Sequence, residues 1–168
     1  MLPLILSVLS LSAVQDTAVF AAARMRPTDG NHVRGVVQFR RTHDGIVVLA
    51  RLTGLTTGPH AYHVHVHGDC SAGDGSSAGT HFDFIQHGAA ANARHVTGNL
   101  GDLRAGREGR ARDSSLVRNL HPDSARLILG RSVVIHARGN DHAKPPLGDA
   151  GVPVACGVIE PPAAPRER

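Results

Sequence analysis

The sequence predicts an all-β fold, and three observations carry that expectation. Apolar residues gather in short runs of strand length, several of which alternate with polar ones. No stretch shows a sustained helical period bounded by caps. The chain also carries 19 Gly and 10 Pro in 168 residues, enough to punctuate many turns. This length supports one domain with a real core and does not favour two. Hydrophobic residues make up 41%, which excludes compositional disorder. With aromatics at 3% and no Trp, the core is expected to rest on Val, Ile, Leu and Ala.

In chain order, the first 13 residues form an apolar run that is too short to span a bilayer as a helix. Ser10 and Ser12 offer small residues for cleavage, so residues 1–16 read as a secretory signal, although no basic n-region precedes the run. Export to the periplasm or the cell exterior is the expectation, with no membrane association after processing. Strands are expected at 17–24, 33–41 and 45–52, joined by the turn-rich Pro27-Thr28-Asp29-Gly30 and by His43-Asp44. Residues 61–67 alternate Tyr and Val with His. Further strands are expected at 125–129, 131–137 and 154–159. Two long Gly- and Ala-rich connections, 68–92 and 139–153, lie between them, and loops of that length in a compact domain are usually functional or disordered. The domain is taken as 17–160, followed by a Pro-rich tail at 161–168.

The formal charge is +4 and the pI about 10.0. Many of the arginines are scattered through 103–118 and the tail, without interleaved aromatics or a nucleic-acid motif. A solvated basic surface is therefore expected, and no nucleic-acid partner. Two cysteines, Cys70 and Cys156, cannot complete a zinc site alone; in an exported protein they read first as a disulfide. Closing so long a loop restricts the unfolded chain by about 4 kcal/mol.

Twelve histidines is far above ordinary usage. In His63-Val64-His65 the two imidazoles lie at i and i+2 of a strand and can converge on one ion. Alone, that pattern is weak. His81, His87, His95 and His136 lie around or beyond the first long loop, and imidazole suits copper and zinc better than hard, oxygen-ligated ions. His32, His43, His121 and His142 read as surface residues. His67 is expected to point past the site.

Several ordered segments resemble the Cu/Zn superoxide dismutase family. Gly54-Leu55-Thr56-Thr57-Gly58-Pro59-His60-Ala61-Tyr62-His63-Val64-His65 is similar to the signature that opens its copper site. Gly68-Asp69-Cys70-Ser71 is similar to the bacterial form of its disulfide loop. Ala78-Gly79-Thr80-His81-Phe82-Asp83 resembles the segment of the bridging histidine. Gly130–His136 resembles the strand with the last copper ligand, and Ala155-Cys156-Gly157-Val158-Ile159 the C-terminal disulfide segment. The likeness runs from about Ala18 to Ile159. It implies an eight-stranded Greek-key β-barrel or sandwich with long metal-binding loops. It implies copper on His63, His65, His81 and His136, and zinc on His81, His87, His95 and the residue at Asn99. A Cys70–Cys156 bridge is implied as well. The implied activity is dismutation of the superoxide anion by copper redox cycling, with His81 as the catalytic proton carrier. A non-enzymatic copper-binding or storage protein on the same fold is the alternative, and a structural relative a more distant one. Oligomeric state stays open, a homodimer being one option.

Three departures from the family pattern bear on activity. The zinc Asp falls on Asn99, in Asn99-Leu100-Gly101-Asp102, where acid and amide are exchanged; a neutral amide is a weaker zinc ligand than a carboxylate. Asp102 is a less well placed substitute. The spacing from His81 to His87 is short, and Thr97 looks inserted between His95 and Asn99. Pro153 stands where the family has an active-site Arg, so slowed turnover is expected. Arg138 and Lys144 are the candidate compensating cations. Asn140-Asp141 falls where the family tends to have paired acids.

Overall fold

The computed structural model describes residues 19–83, 98–117, 126–144 and 148–162. Eight antiparallel strands account for most of them: β1 Val19–Pro27, β2 Arg34–Thr42, β3 Gly45–Thr53, β4 Gly58–His65, β5 Asn99–Ala105, β6 Ala111–Val117, β7 Ser132–His136 and β8 Pro153–Glu160. The lateral order β5-β4-β7-β8-β1-β2-β3-β6 gives a meander of β1, β2 and β3, with crossovers before β4 and before β7. Edge strands β5 and β6 approach each other, so the sheet curls into a nearly closed Greek-key barrel.

Period-two patterning explains the interior. Ala21, Ala23 and Met25 of β1, Val37 and Phe39 of β2, and Ile46, Val48, Ala50 and Leu52 of β3 all point inward and are buried. The core is aliphatic as expected, although Phe39 and Tyr62 are among its largest fully buried side chains. Tyr62 donates its hydroxyl to Asp113 at 2.9 Å and lies 3.1 Å from the Ser115 hydroxyl, which ties β4 to β6 across the barrel. Burial pushes its phenol pKa up.

Strands β4 and β7, and the middle of β8, are buried on both faces. Tyr62, Val64, Val133 and Ile135 belong to the main core. On the other face, Val134 packs with Cys156, Ala78 and Cys70 in a second, smaller cluster. That outer face carries His63, His65 and His136.

The Cys70–Cys156 disulfide closes across 86 positions, with Cα atoms 5.7 Å apart, and clamps the loop after β4 onto β8. Ser76–Ala78 in this loop form a single 3₁₀ turn. Arg131 completes the fastening: its guanidinium stacks 3.4 Å from the centre of the Phe82 ring and donates to the Val66 and Leu127 carbonyls.

Two sequence expectations are corrected. Residues 103–117, read only as a scatter of arginines, lie in β5, in β6 and in the turn around Gly106 and Gly109 that joins them. Residues 126–128, expected within a strand, make a 3₁₀ turn that buries Ile128 and leaves Leu127 exposed. Residues 1–16, expected to be a signal, and residues 163–168, expected to belong to a Pro-rich tail, lie outside the described residues. Among the described residues, no helix is long and apolar enough to cross a membrane.

Candidate metal centre

The strand pattern alone places three imidazoles together. His63 pairs with Val134 in the β4–β7 ladder, and His136 follows two residues later on the same face. His65 lies two residues along β4 from His63. Irregular pairing between Tyr62 and His63, and between Ile135 and His136, turns the backbone at both sites. The segment carrying His81 is laid against β4 by main-chain bonds from Phe82 N–H to the Val64 carbonyl and from Val66 N–H to that of Thr80. A bridge between His81 and His65 results.

His63, His65, His81 and His136 thus converge, each offering one ring nitrogen, and those four atoms lie within 4.8 Å of one another. The ring hydrogen bonds explain which nitrogens face inward. His65 Nδ1–H donates to the Gly79 carbonyl at 2.8 Å, and His136 Nδ1–H to that of Gly151 at 2.9 Å. Both glycines have positive φ, +75° and +81°, a backbone that presents the carbonyl to the ring and that other residues rarely adopt. His63 Nε2–H donates to Asn140 Oδ1 at 2.8 Å. In each case the outer nitrogen is spent as a donor, and the tautomer is fixed with a bare inner nitrogen.

Four buried nitrogens are left without a hydrogen-bond partner: His63 Nδ1, His65 Nε2, His81 Nδ1 and His136 Nε2. Buried polar atoms normally find partners, so four orphans in one cluster call for an ion. Burial, reinforced by mutual repulsion from His81 and His136, lowers the His63 pKa to about 2. Burial likewise brings His81 to about 3 and His65 to about 4, and depresses His136. All four are neutral at pH 7, as metal ligands must be. The donor set fits a nitrogen-ligated transition metal such as copper or zinc.

His65, His81 and His136 form the buried side of a cavity of about 640 Å³, whose exposed lining includes Lys144, Asp149 and Val152. Lys144 Nζ is bound to Asp149 at 2.7 Å and lies 3.9 Å from Asp141, so its charge is neutralised. Arg138 also reaches Asp149, at 3.7 Å. Val152, 68% exposed, adds an apolar surface. Pro153 sits at the start of β8 with its ring against Gly75 and its carbonyl accepting from Thr28 Oγ1 at 2.9 Å.

The remaining candidate residues divide clearly. His87 and His95 lie outside the described residues. Asn99 is exposed; its Oδ1 accepts from Gly101 N–H at 2.9 Å and from Asn140 Nδ2 at 3.4 Å. Asp102 Oδ1 accepts two bonds from Asn140. His60 is buried and structural, with Nδ1 2.8 Å from the His136 carbonyl and Nε2 within hydrogen-bonding distance of Thr56. His67 is exposed and lies against Gly79. The contacts of Asn140 escaped the sequence reading, which noted only that Asn140-Asp141 falls where the family tends to have paired acids; Asp141 faces Lys144.

A Greek-key barrel that buries four neutral imidazoles under loops pinned by a disulfide defines an imidazole-ligated metalloprotein. Residues 33–159 match the family model described as copper/zinc superoxide dismutase. Among its relatives, superoxide dismutase (Cu-Zn) 2 of Mesembryanthemum crystallinum is 36% identical over 138 residues, covering 77% of this chain and 88% of the relative. The Cu-Zn superoxide dismutase of Caulobacter vibrioides is 36% identical over 150 residues, covering 83% and 85%. The extracellular Cu-Zn superoxide dismutase of Brugia pahangi is 32% identical over 157 residues, covering 85% and 77%. The chain belongs to the copper/zinc superoxide dismutase family.

Proposed function

We propose that the protein is a superoxide dismutase, with His63, His65, His81 and His136 holding copper. The observation that carries this reading is the set of four buried, unpartnered imidazole nitrogens beside an open cavity. Copper bound there would supply reversible one-electron exchange, by which two superoxide anions and two protons become oxygen and hydrogen peroxide. The backbone carbonyls of Gly79 and Gly151 and the Asn140 amide fix three ligand rings before any ion arrives, which lowers the cost of assembling the site. His81 differs from them: no backbone carbonyl or side-chain amide among the described residues fixes its ring, its Nδ1 is unpartnered, and we assign it the role of taking and returning a proton. It lines the cavity, where an incoming anion arrives.

Zinc belongs to the same reading, on His81, His87, His95 and Asn99. With an amide in place of a carboxylate, that site would bind more weakly than a three-His, one-Asp site. Turnover is slowed relative to an enzyme with a free cation at the site. Position 153 is proline, and Lys144 is neutralised by Asp149. We place the protein outside the cytoplasm, with residues 1–16 as the signal, 17–160 as the functional domain and 161–168 as a Pro-rich tail. The disulfide supports an oxidising compartment. No observation favours the copper-store alternative.

The test is metal content and superoxide turnover on one copper- and zinc-loaded preparation, beside His63→Ala. One copper per chain, with measurable turnover lost in the variant, is expected. Absence of copper from the wild-type protein would overturn the assignment, and stoichiometric copper without turnover would reduce it to metal binding.

A further inference from the structure

Asn140 is held in one orientation by its surroundings. Its Nδ2 lies 2.7 Å from Asp102 Oδ1, 3.3 Å from the Gly101 carbonyl and 3.4 Å from Asn99 Oδ1. All three are acceptors. Its main-chain N–H donates to the same Asp102 oxygen at 2.9 Å. A carboxylate at neutral pH can only accept, so the amide nitrogen must face Asp102 and the amide oxygen must face away. That oxygen meets His63 Nε2 at 2.8 Å. An acceptor there requires Nε2 to carry the proton, and a neutral imidazole has only one. Nδ1 is therefore bare, and it is the buried atom of His63 that lacks a partner.

We propose that Asp102 and Asn140 act as positioning residues. The Asp102 carboxylate sets the polarity of the Asn140 amide, and the amide sets the tautomer of His63, so that Nδ1 is ready to bind a metal. This relay is anchored on β5 and needs no second metal ion: every group in it lies on β4, β5 or the start of the loop after β7. The copper-facing tautomer of His63 is thus set by the protein alone. Its value for catalysis rests on the function proposed above; its existence does not.

Without the carboxylate, only the longer contacts to the Gly101 carbonyl and Asn99 Oδ1 oppose rotation of the Asn140 amide, and part of the population can offer Nδ2 to His63. Nε2 would then accept, the proton would move to Nδ1, and the ligating atom would be blocked. The test uses nitrogen-15-labelled histidine and long-range proton–nitrogen NMR on the metal-free full chain. The wild type should show His63 as a single Nε2–H tautomer. Asp102→Ala should give a mixture, and Cu(II) affinity by competition titration should fall about 10- to 100-fold, the usual effect of losing an outer-shell partner. Asp102→Asn should rescue both readouts, because the Asn140 N–H holds an oxygen of the new side chain in the old place. Asn140→Ala leaves β5 untouched and should also release the tautomer, which settles the matter if Asp102→Ala does not fold. A single Nε2–H tautomer in either folded variant, with copper affinity within twofold of wild type, would overturn the proposal. Failure of the wild type to bind copper would remove the functional reading, while the tautomer measurement would still decide the relay.

Discussion

Pro153→Arg is the perturbation that most directly tests how the site handles its anionic substrate. Position 153 pairs with His136 across β7 and β8, so a side chain there starts one strand away from a ligand of the cluster. The Thr28 bond is to the Pro153 carbonyl and survives the change, while the ring's contact with Gly75 is lost. Replacing proline returns entropy to the unfolded chain and costs about 1 kcal/mol, which for a domain of this size lowers Tm by about 2–4 °C. A new guanidinium beside the cavity would lower the barrier by about 1–3 kcal/mol, or roughly tenfold to a hundredfold in rate. Pro153→Ala supplies the control, with the same loss of stability and no gain in rate. The assay is superoxide turnover on copper-loaded protein across ionic strength, since a steering charge acts most strongly at low salt. A folded, fully copper-loaded Pro153→Arg protein with unchanged turnover and unchanged salt dependence would refute the reasoning.

Other expectations follow from the same geometry. Asp149→Asn should leave Lys144 only its longer contact with Asp141 and add one unit of net positive charge beside the cavity; an extra unit charge ~10 Å away in water is worth about 0.4 kcal/mol, so turnover should rise about twofold at low salt and return to the wild-type value at high salt. Replacing Cys70 and Cys156 together by Ala should cost about 4 kcal/mol, seen as a Tm lower by roughly 10 °C, with the oxidised wild type as reference. The metal-free protein should lose stability as pH falls. His63, His65 and His81 have folded pKa values of about 2, 4 and 3, all below the ordinary 6.5. The unfolded chain therefore binds more protons, so their contribution is complete above pH 6.5. Below it, each costs up to about 1.4 kcal/mol per pH unit until its folded value is reached. Urea midpoints at pH 7.5 and 5.0 would read this, and equal midpoints would contradict the depressed values.

The legibility of the fold in the sequence was uneven for physical reasons. Strands β1 to β3 carry their buried face on Val, Ile, Leu, Phe and Ala at alternating positions, a pattern that shows directly. In β5 and β6 the inward positions include Leu103, Ala105 and Ala111, and small residues give a weak signal beside Arg104 and Arg112. The run at 125–129 misled because its apolar composition suits a strand, whereas Ile128 is fully buried, Leu129 is partly buried against the core and Leu127 is exposed. At the metal centre, His63 and His65 follow from period two alone. Only the β4–β7 register shows how His136 reaches them, and only the bridge to His65 shows how His81 does. The contacts of Asn140 could not be read from spacing, because Asp102 and Asn140 are 38 positions apart and meet only when the loop after β7 folds back on β5.

The exchange of acid and amide along β5 makes one further prediction, about why Asn140 is neutral. Its amide contacts both His63 and Asp102, so an acid at 140 would set two carboxylates against each other at the present 2.7 Å. Two like charges ~3 Å apart repel by about 5 kcal/mol at an effective dielectric of 20. Uptake of a proton at pH 7 limits the penalty to about 4 kcal/mol, given an ordinary carboxylate pKa of about 4. Asn140→Asp should therefore be strongly destabilised alone, and Asp102→Asn added to it should restore most of the loss. In the doubly exchanged protein the carboxylate touches His63 directly and makes Nδ1 a stronger donor. Bound Cu(II) would be favoured over Cu(I), and the copper midpoint potential should fall. Thermal unfolding of both single variants and the pair gives the coupling, and potentiometry gives the potential. If Asn140→Asp proves as stable as the pair, Asp102 and residue 140 are not in contact, and the neutrality of Asn140 has another origin.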